Sequence, residues 1–257
     1  MSDNFSYYGF RYRILNKFKK EVLLIDATGA RDRFFIPKEV EYDGKMYKVV
    51  GFEERKETYY YDYQPADKRK KVERREGEED CTPFSRLLDR YKSNSKKYND
   101  SVTEIIMHDD IKIIPHFTFG ELSSLKCIKF PKDLQEIPSA CCAGCTSLIS
   151  IEFPENLKKI GCGAFVGCSF EKITIPSSVS HIDECAFNLS KARYNEATRK
   201  RVGENKLKVV NILNDEGKVV IDPLAFPENV KINYLGKSKG KSSKSEKKKS
   251  IFPKLFK

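Results

Sequence analysis

The amino-acid sequence predicts a β-rich solenoid, a stack of turns built from short strands and tight corners and interrupted by two charged insertions. Three observations predict this fold: a recurring apolar pattern, an alternation of apolar residues inside it, and a proline directly after each alternation. The pattern returns after 23 and then 22 residues. Because a unit of this size cannot bury its apolar face alone, stacked copies must share one continuous core.

The three clearest copies of the pattern differ only in which apolar residue fills each position. They are Ile128-x-Phe130-Pro131-x-x-Leu134-x-x-Ile137, Ile151-x-Phe153-Pro154-x-x-Leu157-x-x-Ile160 and Ile173-x-Ile175-Pro176-x-x-Val179-x-x-Ile182. The first two apolar residues of each copy alternate with one residue that faces the other way, which is strand behaviour. The proline lacks a ladder donor and fixes φ, so it ends the strand and turns a corner. Ile105 and Met107 extend the strand pair one turn earlier.

The second half of the repeat is as regular as the first. It reads Gly144-Cys145-Thr146-Ser147-Leu148 in one turn and Ala164-Phe165-Val166-Gly167-Cys168 in the next. Together with the strand and proline, these residues resemble the BspA-type leucine-rich repeat, strongly over residues 102–187. The resemblance implies a right-handed leucine-rich-repeat superhelix and a non-enzymatic role in recognition or adhesion, often at a cell surface.

The predicted organisation is one repeat domain, residues 1–235, followed by a tail, residues 236–257. The core repeats span 102–187, and inserted loops occupy 53–101 and 190–207. Phe35-Ile36-Pro37 matches the strand end and corner, and Asp43-Gly44 predicts a two-residue hairpin in the first turn. A degenerate last turn is expected around Val210 to Tyr234, with Asn214-Asp215-Glu216-Gly217 predicted as its hairpin.

The basic charge of the chain is concentrated in the tail. The whole chain has a formal net charge of +11, and residues 236–257 hold nine lysines and one glutamate. This composition predicts a disordered lysine-rich segment that ends in an aromatic hook. Its candidate contacts are Lys247, Lys248, Lys249, Phe252 and Phe256. The alternatives are a solvated tail, docking on a protein, attraction to an anionic membrane, and nucleic-acid binding without sequence preference.

The sequence contains no clear pattern of catalytic or metal-binding residues. Cys141, Cys142 and Cys145 resemble a metal cluster, but the repeat register places Cys142 and Cys145 at core positions, where a free cysteine acts as a small hydrophobe. A disulfide between Cys145 and Cys168, one turn apart, stays an alternative in an oxidising compartment. No phosphate-loop or nucleophile-elbow motif occurs. We therefore expect no catalytic residue, no metal, no cofactor and no enzyme activity.

The residues that face outward between the core pairs are the candidate partner site. They are Ile106, Lys129, Glu152 and Thr174, with Asn211 continuing the column. Their mixed charge and lack of aromatic rings argue against a nucleic-acid platform. The predicted function is a protein-interaction module that binds an unidentified protein partner through this face and the inserted loops. A merely solvated sheet face is the alternative for the column.

The competing function is a peripheral membrane-associated or nucleic-acid-associated protein that its polybasic tail localises. No apolar run approaches the roughly 20 residues that a membrane-spanning helix needs. The N-terminus lacks a basic segment followed by an apolar one, so a cytoplasmic location is expected by default. The family resemblance points instead to a cell surface.

Overall fold

The chain folds into stacked turns that are rich in strands. The computed structural model describes residues 3–27, 29–53, 101–188 and 206–236. Within these ranges there are fifteen strands and no helix. Each complete turn has a strand side, a second side after the corner, and a return side that leads to the next turn.

The strand side confirms the predicted register. Its first sheet pairs β4 (Asp32–Phe35), β7 (Val102–Ile106) and β8 (Cys127–Lys129) in parallel. Its second sheet pairs β11 (Lys172–Ile175), β13 (Val209–Ile212) and β15 (Lys231–Tyr234) in parallel. Parallel pairing of strands separated by one repeat is what stacked copies of a single unit require.

The second side carries shorter strands in the same order. They are β9 (Glu136–Ile137), β10 (Lys159–Ile160), β12 (His181–Ile182) and β14 (Val220–Ile221), again parallel. The inward members Ile137, Ile160 and Ile182 are buried. The isoleucine at the end of each repeat pattern therefore has a structural role in a second sheet.

The return side is held by backbone hydrogen bonds between turns rather than by strands. Ala140 N donates to Cys162 O at 2.8 Å, and Gly163 N donates to Glu184 O at 3.0 Å. One repeat position on this side adopts left-handed φ in four turns: Phe117, Ala140, Gly163 and Cys185 have φ between 54° and 60°. Such φ values favour glycine, which fills this position only at Gly163.

A mixed sheet lies at the N-terminal end of the stack, with β3 and β6 parallel and its other pairs antiparallel. It contains β1 (Asn4–Tyr7), β2 (Phe10–Asn16), β3 (Glu21–Asp26), β5 (Glu39–Tyr42) and β6 (Lys45–Phe52), in the order β1-β2-β3-β6-β5. The predicted hairpin between β5 and β6 is confirmed, with Asp43 and Gly44 at φ 51° and 67°. The other three strands were not predicted, although Phe5, Tyr7, Tyr12 and Ile14 alternate as strand residues do.

Two expectations about the strands were wrong. Asn214 to Gly217 do not form a hairpin, because the flanking strands β13 and β14 join different sheets, each in parallel with a neighbouring turn. Inward-facing Ile212 is fully buried where β13 continues the strand side. The third-turn strand around Ile151 and Phe153 is reduced to one bridge, between Lys129 and Glu152. The predicted handedness and both insertions, most of whose residues lie outside the described ranges, stay predictions.

A column of phenylalanines forms the centre of the core. Phe165 stacks on Phe187 with ring centroids 5.2 Å apart, and Phe187 stacks on Phe226 at 5.4 Å. All three rings are buried. Cys142 takes the same repeat position one turn before Phe165, and Phe153 packs edge-on against Phe165 at 5.8 Å. The column therefore adds core contacts between turns that β10, β12 and β14 also connect on the second side.

We expect Phe187→Ala to lower the free energy of unfolding by about 3–5 kcal/mol, because it removes a ring that contacts both neighbouring turns. Urea unfolding followed by circular dichroism measures the loss. Phe18→Ala, which truncates a fully exposed ring at the β2–β3 hairpin, is the matched control and should change stability by less than about 0.5 kcal/mol. Equal effects of the two substitutions would contradict the column's role.

His108 is a buried histidine at the corner position that proline fills in the following turns. Its side chain is only 7% exposed, and its Nδ1 lies 3.8 Å from Asp110 Oδ2, too far for a hydrogen bond. Neither ring nitrogen has a hydrogen-bond partner within the described residues. Burial lowers the pKa of His108, and the nearby Asp110 carboxylate only partly opposes that change.

A lowered folded-state pKa means that the unfolded chain takes up the His108 proton first as the pH falls. The free energy of unfolding should therefore decrease on acidification through the ordinary histidine pKa of about 6.5. We expect His108→Gln to flatten this decrease, measured by urea unfolding at several pH values between about 7.5 and 5.5. His116→Gln, at an exposed histidine, is the control. An unchanged slope in His108→Gln would contradict the assignment.

Candidate partner surface on the strand side

One column of outward-facing side chains crosses the first four turns of the strand side. The column joins Phe35 to Ile106 and Ile106 to Lys129 through strand pairs. A parallel bridge then joins Lys129 to Glu152. We call these four residues the outward column. The structure brings three of the predicted site residues together in it, namely Ile106, Lys129 and Glu152.

The fourth predicted residue, Thr174, belongs to a separate polar group on the same side. Thr174 pairs with Asn211, and Asn211 pairs with Asn233. Asn233 Nδ2 donates a hydrogen bond to Asn211 Oδ1 at 2.9 Å. Within the described ranges, no strand pair connects Glu152 to Thr174. The predicted single column is thus two groups, and the gap follows the shortened strand of the third turn.

Phe35 is the feature of this surface that the sequence analysis missed. Its ring is 58% exposed although it lies on a sheet beside Ile106. The Arg33 guanidinium lies 5.8 Å from the ring centroid, and Arg33 also forms an ion pair with Glu104. The signal was present, since Phe35 precedes Ile36-Pro37 as Lys129 precedes Phe130-Pro131. The predicted column starts at Ile106, one turn after Phe35.

Cys127 borders the outward column but is not set up as a nucleophile. Its residue lies opposite Glu104 in the strand pairing, and it is half-buried. Burial, with the Glu104 and Glu152 carboxylates adding to it, raises the pKa of Cys127 to about 11. Since the thiolate is the reactive form, this thiol stays protonated at neutral pH.

The cysteines that resembled a metal cluster are core residues, as the repeat register predicted. Six are buried: Cys141, Cys142, Cys145, Cys162, Cys168 and Cys185. Cys145 Sγ donates to Phe119 O at 3.0 Å, and Cys168 Sγ donates to Cys142 O at 3.3 Å. Burial also raises the pKa of Cys142 and Cys168. In the described part of the chain, no three His, Cys, Asp or Glu side chains are grouped as metal ligands would be.

On the second side, the outward-facing Lys159 is already paired with two carboxylates. Lys159 Nζ lies 3.2 Å from Glu136 Oε1 and 3.1 Å from Asp183 Oδ2. The two carboxylates raise the pKa of Lys159 against the lowering effect of its partial burial. A partner would have to compete with these contacts. The outward column differs from this ion-paired group in carrying an exposed aromatic ring, Phe35.

The remaining predicted site residues cannot be placed. Lys247, Lys248, Lys249, Phe252 and Phe256 lie outside the described residues, so the tail's predicted contacts with membrane or nucleic acid stay predictions. Over the described residues, no helix is long and apolar enough to cross a membrane.

Comparison with known proteins identifies the repeat. The family model for the BspA type leucine rich repeat region matches residues 92–193 with six copies. No curated protein matches the sequence significantly.

Solved structures of leucine-rich repeat proteins are similar to the chain at low identity. A leucine-rich repeat protein from Bacteroides ovatus is 19% identical, with 88% of this chain and 53% of its own covered and a TM-score of 0.44. The leucine-rich repeat protein of T. pallidum is 20% identical, with 87% and 82% covered and a TM-score of 0.47. A leucine-rich cell surface protein from Faecalibacterium prausnitzii is 15% identical, with 91% and 55% covered and a TM-score of 0.37. The chain thus spans about half the length of two of these proteins. At scores this low, the similarity says nothing about function.

Proposed function

Residues 92–193 are a BspA-type leucine-rich repeat region, and from this we propose that the chain is a non-enzymatic module that binds a protein partner. The repeat family suggests a protein-interaction role. The finer part of the proposal is the surface: the partner contacts the outward column, Phe35, Ile106, Lys129 and Glu152. Phe35 is the observation that carries it.

An exposed aromatic ring on a sheet face favours a binding role. Phe35 remains 58% exposed while its neighbours in the sequence, Phe34 and Ile36, are each 4% exposed. Aromatic residues are enriched at the centres of protein interfaces, where their burial dominates the binding energy. Ile106, half-buried beside Phe35, extends the apolar area, and Lys129 and Glu152 border it with both charges. An apolar centre with a charged border is the usual anatomy of a protein interface.

The inserted loops are proposed to border the same surface. The chain rejoins the described structure at Ser101, directly before β7, after the first insertion. It rejoins at Lys206, shortly before β13, after the second. Both insertions thus return to the start of a strand on the strand side. Insertions on one face of a repeat array often form part of its binding site.

The location of the interaction is also a proposal. The repeat family suggests recognition at a cell surface, and we propose that location for this chain. A cytoplasmic location, expected from the N-terminal sequence, is the alternative. The partner in either case is a protein with an apolar contact residue that fits beside Phe35.

We expect Phe35→Ser to weaken binding of the partner at least about tenfold, which corresponds to about 1.4 kcal/mol. Partners are first identified by affinity capture and mass spectrometry, and the purified partner is then titrated against each variant. Phe18→Ser is the matched control, because it removes a more exposed ring at the hairpin of β2 and β3, which belong to a different sheet from β4. If both variants bind as the wild type does, the strand side is not the partner site.

Reversing the charges of the outward column tests its border separately. We expect the double variant Lys129→Glu with Glu152→Lys to weaken capture. The bridge places the two side chains in neighbouring turns, so the variant exchanges the positions of the positive and the negative charge that the partner contacts. Both residues are exposed, so the urea midpoint should stay close to that of the wild type. Unchanged capture by a folded double variant would move the proposed site to the insertions.

A further inference from the structure

The C-terminal end of the repeat array has an open strand edge. β15 pairs with β13 along one edge, and within the described ranges no strand lies along its other edge. β14 is likewise the last strand of the second side. An unpaired edge exposes backbone donors and acceptors to any strand that fits, and proteins usually cover such edges. Repeat arrays in particular need a cap at each end.

The core is also uncovered at this end. Ile232 and Tyr234 occupy the inward positions that Val210 and Ile212 occupy one turn earlier. Val210 and Ile212 are fully buried, whereas Ile232 is 36% exposed and Tyr234 is half-buried. Leu235, which follows β15, is 53% exposed. Inward-facing apolar residues are exposed here because no described turn follows them.

We propose that the C-terminal segment of the same chain, Lys249 to Phe256, covers this edge by adding a parallel strand to β15. The segment contains Phe252-Pro253-Lys254-x-Phe256, which matches Phe130-Pro131-Lys132-x-Leu134 in the array. It also matches Ile36-Pro37-Lys38-x-Val40 of the first turn. The segment thus carries the residues with which this array ends a strand and turns its corner.

The match fixes a register. With Phe252 beside Tyr234, Ile251 lies beside Asn233 and faces outward, as Phe35 and Ile106 do in the first turns. Ser250 then lies beside Ile232, where earlier turns have an apolar residue. This departure makes Phe252 and Phe256 the main apolar contacts of the added strand.

The connection is long enough. In this register residues 235–248 join the two strands, which is 14 residues. A parallel crossover needs a dozen or more. A tether of this length keeps the segment at an effective concentration on the order of millimolar near the edge. That concentration favours the chain's own segment over a second copy at ordinary protein concentrations.

The connecting segment and the last turn carry opposite charges. The part of the last turn between β13 and β15, residues 213–230, holds four carboxylates and one lysine. The carboxylates are Asp215, Glu216, Asp222 and Glu228. Residues 237–249, which would pass over this turn, hold seven lysines and one glutamate. The basic connection and the acidic turn attract one another at close range, an attraction that salt weakens.

Disulfide trapping in the full-length chain tests the register. Asn233→Cys with Ile251→Cys places two thiols on neighbouring strands, within the span that a disulfide bridges. Asn233→Cys with Ser245→Cys is the matched control, because Ser245 lies in the connection. Mild oxidation of a mixture of unlabelled and ¹⁵N-labelled protein, followed by peptide mass spectrometry, measures each cross-link and shows whether it joins one chain or two.

The expected result is a 233–251 cross-link within single chains, formed at least about tenfold faster than the 233–245 control. Equal rates for the two pairs would overturn the proposed strand. A 233–251 cross-link mainly between labelled and unlabelled chains would also overturn it, and would show that a second copy covers the edge.

Hydrogen exchange gives an independent readout without added cysteines. The amides of Ile232 and Tyr234 face the open edge, because Lys231 N and Leu235 N donate to the β13 side. They should exchange at least about tenfold faster in the Phe252→Ser, Phe256→Ser double variant than in the wild type, since the covering strand is lost. Ile251→Ser changes an outward-facing residue and should keep the wild-type rate. If the double variant and the wild type exchange alike at these amides, the segment does not cover β15.

Discussion

Parallel pairing between successive turns is the constraint on which the rest of this structure depends. No single turn contains a closed set of backbone hydrogen bonds, because each strand of the repeat donates to and accepts from its neighbours in the array. The return side obeys the same rule without strands, through contacts such as Ala140 N to Cys162 O. Each turn must therefore place its apolar residues at the positions that pair with the apolar residues of the neighbouring turn. The repeat in the sequence follows from this requirement.

The core shows how much variation this constraint allows. Cysteine replaces phenylalanine at residue 142 and leucine at residues 145 and 168, yet every one of these side chains remains buried. The buried thiols of Cys145 and Cys168 donate to the carbonyl oxygens of Phe119 and Cys142 in neighbouring turns. Their S–H groups therefore have hydrogen-bond partners despite burial. Phe153 packs against Phe165 where the ring column is interrupted.

The residues that vary without affecting the pairing are available for recognition. Outward positions on the strand side carry an aromatic ring at Phe35, an aliphatic side chain at Ile106 and charges at Lys129 and Glu152, all on the same backbone register. The second side instead joins Glu136, Lys159 and Asp183 by ion pairs. The strand side thus exposes an aromatic ring, whereas the second side has Lys159 held by two carboxylates. This difference is why the proposed partner surface lies on the strand side.

The sequence by itself determined the repeat, the inward positions, the parallel register and the burial of the clustered cysteines, because these depend on spacing and side-chain size. It also placed Ile106, Lys129 and Glu152 on one face. Only the tertiary structure decided which strands pair fully. The third-turn strand is reduced to a bridge at Glu152, and Asn214 to Gly217 separate two sheets instead of joining a hairpin. Those outcomes depend on competition between neighbouring turns for backbone partners. The exposure of Ile232 and Tyr234 has another cause, since no turn follows them within the described residues. The repeat pattern indicates which positions favour burial and strand structure. Packing and hydrogen bonding between turns determine which of these positions adopt them.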